Sequence, residues 1–74
     1  MTLQELPVGQ RAEVISVEGV DDISVRLMEM GLTPGVELKM LGSALFGDPL
    51  EVELRGYHLS LRKSEAGRVV ITAK

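Results

Sequence analysis

The chain contains no cysteine. That excludes a disulfide framework and any metal held by thiolates. Small secreted domains depend on such staples, so the sequence predicts a reducing, cytoplasmic setting. Tryptophan is absent as well, and Phe46 and Tyr57 are the only aromatic residues. Two aromatics cannot line the groove in which SH3 domains hold PxxP peptides. The single histidine is His58. Neither a Walker-type phosphate loop nor a GxGxxG turn occurs, so no nucleotide cradle is expected. No apolar run approaches the roughly 20 residues that span a bilayer. Residues 1–9 lack the basic start and long apolar stretch of a signal peptide. Direct membrane insertion is therefore not expected.

What is present is a globular composition: 74 residues, 45% hydrophobic and 26% charged. That length allows one domain with one modest core, since so short a chain buries only about 60% of its unfolded surface. The net charge of −3 lacks the basic footprint of a nucleic-acid binder. It is unevenly spread, with −5 on residues 1–37 and +2 on residues 38–74. A surface of both signs suits a protein partner.

Thr2-Leu3-Gln4-Glu5 reads as a capping box opening a short helical turn, which Pro7 and Gly9 end. Ala12 to Val17 is rich in β-branched residues and predicts a first strand. Asp21 or Asp22 can cap a helix running to Met30, with Gly31 placed to end it. Ile23, Leu27 and Met30 form its inward stripe, which leaves Val25 and Met28 pointing outward. After the turn Thr33-Pro34-Gly35, the residues Val36, Leu38 and Met40 alternate with charges, as on a half-buried strand. Gly47-Asp48-Pro49 is a second turn. Leu50, Val52 and Leu54, then Tyr57, Leu59 and Leu61, alternate on two strands joined at Arg55-Gly56. A tight hairpin there sets Leu54 opposite Tyr57 and Val52 opposite Leu59, so inward residues meet inward residues. A helical turn from Ser64 and a last strand, Arg68 to Thr72, complete the chain. Five short strands with one helix between the first two, and helical turns near both ends, predict a mainly β fold. Their number and spacing fit a closed SH3-like barrel over residues 1–74.

Catalytic groups are scarce. Ser60 is the one serine with a nearby base, and an open hairpin face offers it no shelter. No catalytic residue, cofactor or resident metal is expected. The best metal constellation is Glu51, Glu53 and His58, which the hairpin register brings to one outer face. The simpler reading of these three is a solvent-exposed cross-strand charge pair. Arg55, Arg62, Lys63 and Arg68 could gather into one basic patch, or lie on an ordinary solvated face. Val25 and Met28, outside the inward stripe, could be covered by the barrel edge or the Leu45-Phe46 loop, or form a small apolar contact surface.

The run Arg26-Leu27-Met28-Glu29-Met30-Gly31-Leu32-Thr33-Pro34-Gly35 resembles the helix and turn of the FeoA family. So do Gly47-Asp48-Pro49-Leu50, Leu54-Arg55-Gly56, Leu59-Ser60-Leu61-Arg62 and Glu65-Ala66, in the same order and spacing over nearly the whole chain. Two positions depart from the family's pattern. Val25 stands where a basic residue is frequent, and Ala44-Leu45-Phe46 stands where Ala-Pro is frequent.

The resemblance implies an SH3-like barrel serving ferrous iron uptake. Its implied partner is FeoB, a membrane iron transporter with a cytosolic GTPase domain. The same domain occurs fused to metal-responsive repressors of the diphtheria-toxin-repressor type. The expectation is a cytoplasmic interaction module, recruited to the inner face of the membrane and able to associate weakly with itself. Its expected contact surface is Val25, Arg26, Met28, Leu45 and Phe46. Alternatives are a divalent-metal binder using Glu51, Glu53 and His58, and a GTPase-activating regulator with Arg26 or Arg55 as an arginine finger. A nucleic-acid-binding barrel is the least favoured because of the charge.

Overall fold

The computed structural model describes all 74 residues. Strand β1 (Arg11–Val17) leads to helix α1 (Asp22–Glu29), then to β2 (Glu37–Ser43), β3 (Leu50–Leu54) and β4 (Tyr57–Leu61). A four-residue helix α2 (Lys63–Ala66) and strand β5 (Val69–Ala73) follow. Short 3-10 turns occupy Leu3–Glu5 and Leu45–Gly47. All pairings are antiparallel, in the order β4-β3-β2-β1-β5.

The five strands wrap into an SH3-like barrel, and two bulges bend them into it. Ile15 is the extra residue on β1 opposite β5, and Leu41 is the extra residue on β2 opposite β3. Each bulge increases the local twist, which lets a single sheet curl around its own core. The ladder does not close as the expected closed barrel would, because β4 and β5 remain edges. The N-terminal segment covers the β5 edge instead. Thr2 bridges Val70, and the Ile71 N–H donates to the Met1 carbonyl at 2.9 Å.

The alternation read from the sequence matches the burial. Leu38, Met40, Leu50, Val52, Leu54 and Leu61 point inward and join Leu3, Ala12, Val14, Leu27, Val69 and Ile71 in one core of sixteen apolar residues. Leu54 faces Tyr57 and Val52 faces Leu59, the expected register. Arg55 and Gly56 both take positive φ, 50° and 81°, as a two-residue turn matched to the strand twist requires. The capping box also forms, with Glu5 accepting the Thr2 N–H at 2.7 Å.

Four inward assignments need correction. Tyr57 is 41% exposed, because its ring leaves the barrel to reach the end of α1. Ile23, Met30 and Leu59 are only half-buried, packed against the core from its edge. Ser24, not singled out from the sequence, is 1% exposed. Its hydroxyl donates to the Asp21 carbonyl at 2.8 Å, which satisfies it without a water partner and frees that helical position for burial.

Candidate interaction surface

Helix α1 is short, and three long-range ties hold it. At its start, Asp21 caps the helix by accepting the Ser24 N–H at 3.2 Å, and the same Oδ1 accepts from Arg68 at 2.5 Å. The Arg68 hydrogen bond, followed by that of Ser24, holds the Asp21 carboxyl below its ordinary range. In its middle, Arg26 forms an ion pair with Glu65 of α2. Glu65 is the one buried acid of the chain, at 8% exposure, and its other oxygen accepts the Arg62 N–H at 2.9 Å. A buried carboxylate needs such partners, because its desolvation is otherwise uncompensated. At its end, the Tyr57 hydroxyl donates to the Met30 carbonyl. Gly31, at φ 110°, lets the chain turn away beneath that ring.

These ties orient the helix and fix what it shows to solvent. Leu27 and Ser24 face the core. Val25 is 49% exposed and Met28 38%, three residues apart on the outer face. Val20, just ahead of the helix, is wholly exposed too, a further uncovered apolar side chain the sequence reading missed. Arg26 also reaches solvent, although its guanidinium is committed to Glu65.

The Leu45-Phe46 loop does not cover the helix. Leu45 is 83% exposed and Phe46 100%, so neither lies against Val25 or Met28. The loop joins the ends of β2 and β3 remote from Leu54 and Gly31. The five residues expected to form one contact surface therefore fall into two regions.

The basic patch is divided too. Arg68 is taken by Asp21. Arg55 lies in a surface pocket of about 260 Å³ with Arg11, Glu37, Lys39 and Glu53. Arg62 and Lys63 flank the Asp48-Pro49 turn and form no ion pair. A further ionic group, which no local pattern announced, lies at the C-terminus. Lys74 bridges Glu37 at 3.2 Å and Glu13 at 3.5 Å. The hydrogen bond to Lys74 lowers the Glu37 carboxyl, and the same bond raises the Lys74 ammonium.

The three metal candidates share an outer face without converging. His58 Nε2 lies 3.7 Å from Glu53 Oε2, while Glu51 accepts from Ser60 Oγ at 3.4 Å. No group of three or more histidine, aspartate or glutamate side chains comes close enough to hold an ion. No helix is long and apolar enough to cross a membrane.

Fold and surface together define a small SH3-like barrel whose distinguishing feature is a tethered helix with an apolar outer face. Residues 1–73 match the FeoA domain family. A solution structure of FeoA protein from Chlorobium tepidum superposes with a TM-score of 0.89 at 42% identity, covering 99% of this chain and 70% of that one. The crystal structure of Stenotrophomonas maltophilia FeoA complexed with zinc gives a TM-score of 0.85 at 41% identity, covering 97% of this chain and 89% of that one. A curated relative from Porphyromonas gingivalis, an Fe(2+) transport protein A/Fe(2+) transporter FeoB fusion protein, is 31% identical over 71 residues. The match takes in 96% of this chain and 8% of that much longer protein. The chain belongs to the FeoA family.

Proposed function

We propose that this chain is a non-catalytic accessory protein of ferrous iron uptake. In this reading it works in the cytoplasm, at the inner face of the membrane, by binding the cytosolic domain of a FeoB-type transporter. One observation carries the proposal: a relative in which the equivalent of nearly this whole chain is fused to such a transporter. Fusion turns an encounter into an intramolecular contact at roughly millimolar effective concentration, which is useful only if the two parts work together. The exposed hairpin that carries His58 and Ser60 suits binding better than chemistry, which needs a sheltered site.

The outer face of α1 is the docking surface in this reading, with Val25 and Met28 as apolar anchors. Methionine suits such a site because its unbranched side chain adapts to a partner. Both side chains are well exposed, so a Val25→Asp/Met28→Asp variant should fold. Its affinity for the GTPase domain of the cognate transporter should fall about thirty-fold or more. Unchanged affinity in the folded double variant removes the assignment. Stimulation of GTP hydrolysis is a finer version of the same reading. Arg26 is engaged by Glu65, which leaves Arg55, on an exposed turn, as the candidate arginine finger.

A second reading has its own motivating observation, the zinc complex of the Stenotrophomonas maltophilia relative. Here His58 and Glu53 can offer two of the ligands a divalent ion takes, and Glu51 would have to leave Ser60 to offer a third. Calorimetric titration with ferrous iron or zinc, repeated on His58→Ala, tests it. Identical heats in the two proteins would exclude this site.

A further inference from the structure

The Leu45–Gly47 turn holds its aromatic in an unfavourable position twice over. Phe46 has φ 63° and ψ 19°, left-handed backbone that a bulky side chain seldom adopts. Its side chain is also fully in water, beside an equally uncovered Leu45. Backbone hydrogen bonds hold the turn in this shape, but nothing within the chain covers either side chain. Backbone outliers of this kind, held by the structure around them, cluster at sites of contact with a ligand or partner.

The surroundings say what kind of contact. A shallow cleft of about 270 Å³ opens beside the turn, lined on one side by Leu6, Pro7 and Val8 and on the other by Ser43 and Gly47. Val8 is itself 70% exposed on this cleft, and the turn that reaches the cleft at Gly47 carries two more uncovered apolar side chains, Leu45 and Phe46. Lys63 lines the same cleft, and Arg62 lies beside Asp48 and Pro49 at the foot of the turn. Neither cation has an acidic partner, unlike Arg26, Arg68 and Lys74 elsewhere on the molecule. Protruding apolar side chains with two cations free of ion pairs close by match a bilayer interface with anionic headgroups. The apolar tips enter the acyl boundary while the bases meet phosphate.

We propose that this region is a peripheral membrane contact: Phe46, Leu45 and Val8 dip into the headgroup region of an anionic leaflet, and Lys63 and Arg62 pair with its phosphates. The inference stands on the loop and its charges and does not depend on the transporter reading. It assigns Leu45 and Phe46 to lipid rather than to the protein surface made by α1. Three apolar side chains and two charges give weak, reversible attachment, far short of insertion.

Because Phe46 touches nothing, Phe46→Trp is a faithful probe in a chain that has no other tryptophan. On phosphatidylcholine vesicles containing phosphatidylglycerol, its emission should shift to the blue and be quenched by brominated acyl chains. Co-sedimentation of the unaltered chain should weaken about ten-fold or more in Leu45→Ser/Phe46→Ser. It should weaken about five-fold for each of Lys63→Glu and Arg62→Glu, and with added salt. Emission unchanged by anionic vesicles overturns the proposal, and if the isolated GTPase domain is still bound, the transporter reading stands without it. A blue shift that grows with protein concentration in the absence of lipid also overturns it, and would identify a second copy as the occupant.

Discussion

Helix α1 and the Leu45–Gly47 turn both present apolar side chains to water, yet they are held in opposite ways. The helix is fastened by Asp21–Arg68, Arg26–Glu65 and Tyr57–Met30, each joining residues far apart in sequence. The turn is fastened mainly by its own backbone, with the Gly47 N–H on the Ala44 carbonyl at 3.0 Å and the Ala44 N–H on that of Pro49 at 2.9 Å, and its one longer tie is Asp48, just after it, accepting the Lys63 N–H at 3.0 Å. A tethered element offers a surface of fixed shape, which suits recognition of a structured partner. A turn whose residues 45–47 make no side-chain tie, and whose apolar side chains are uncovered, suits a soft surface that makes no demand on shape. Exposure alone thus does not separate the two apolar regions, whereas the way each is anchored does.

The largest effect that tests this contrast is expected at Gly31. A Cβ there would run into the Tyr57 hydroxyl and come within 3.3 Å of Leu54 Cδ1, at a φ of 110° that side chains resist. Gly31→Ala should destabilise the fold by about 2 kcal/mol, a fall in Tm of roughly 10 °C for a domain of this size. Tyr57→Phe alone should cost about 1 kcal/mol through the lost hydrogen bond to Met30. With the hydroxyl gone, Gly31→Ala has more room. The double variant should therefore be more stable than the sum of the single changes by about 1 kcal/mol. Strict additivity in thermal melts would show that the ring and the helix end are not coupled.

Much of this architecture was legible in the sequence. Alternation of Leu50, Val52 and Leu54 with acids, and the Arg55-Gly56 turn, set strand faces and register by local rules that the fold keeps. The ties on α1 were not legible. Arg26 read as a free contact residue and Glu65 as a helical-turn acid, because nothing local says that residues 39 positions apart will meet. Tyr57 misled for a related reason. Its place in the alternation pointed inward, but its hydroxyl found an uncapped helix carbonyl outside the barrel. The division of the expected contact surface had the same origin, since distance across the barrel is a property of the wrapped sheet and not of the chain order.

The next effect is ionic. The Asp21 carboxyl lies below its ordinary value of 3.8, first through Arg68 and then through Ser24. A carboxyl lowered by folding adds stability above its unfolded value, and that stability is lost as the pH falls through the folded one. Acid below about pH 4 should therefore loosen the start of α1 from Arg68. Lys74, raised above 10.5, behaves in the opposite sense: its contribution is present at neutral pH and lost as the pH rises past its folded value. Amide shifts of residues 20–26 followed down the pH scale should titrate in the wild type and lose that step in Asp21→Asn. The turn relies on no such pair, so the amides of Ala44, Leu45 and Phe46 should follow the same course in Asp21→Asn as in the wild type and serve as the internal control.

The smallest effect is the most discriminating. If Phe46 has no role inside the fold, replacing it should leave stability where it is. Asparagine accepts the left-handed conformation more readily than phenylalanine and removes the exposed ring. Phe46→Asn should therefore change unfolding free energy by no more than about 0.5 kcal/mol, toward greater stability if at all. The same variant should keep its affinity for the GTPase domain, because α1 is untouched, while losing its hold on anionic vesicles. A clear loss of stability would mean that the ring packs against the barrel in solution. The contrast between a tethered helix and a free turn would then fail at its simpler end.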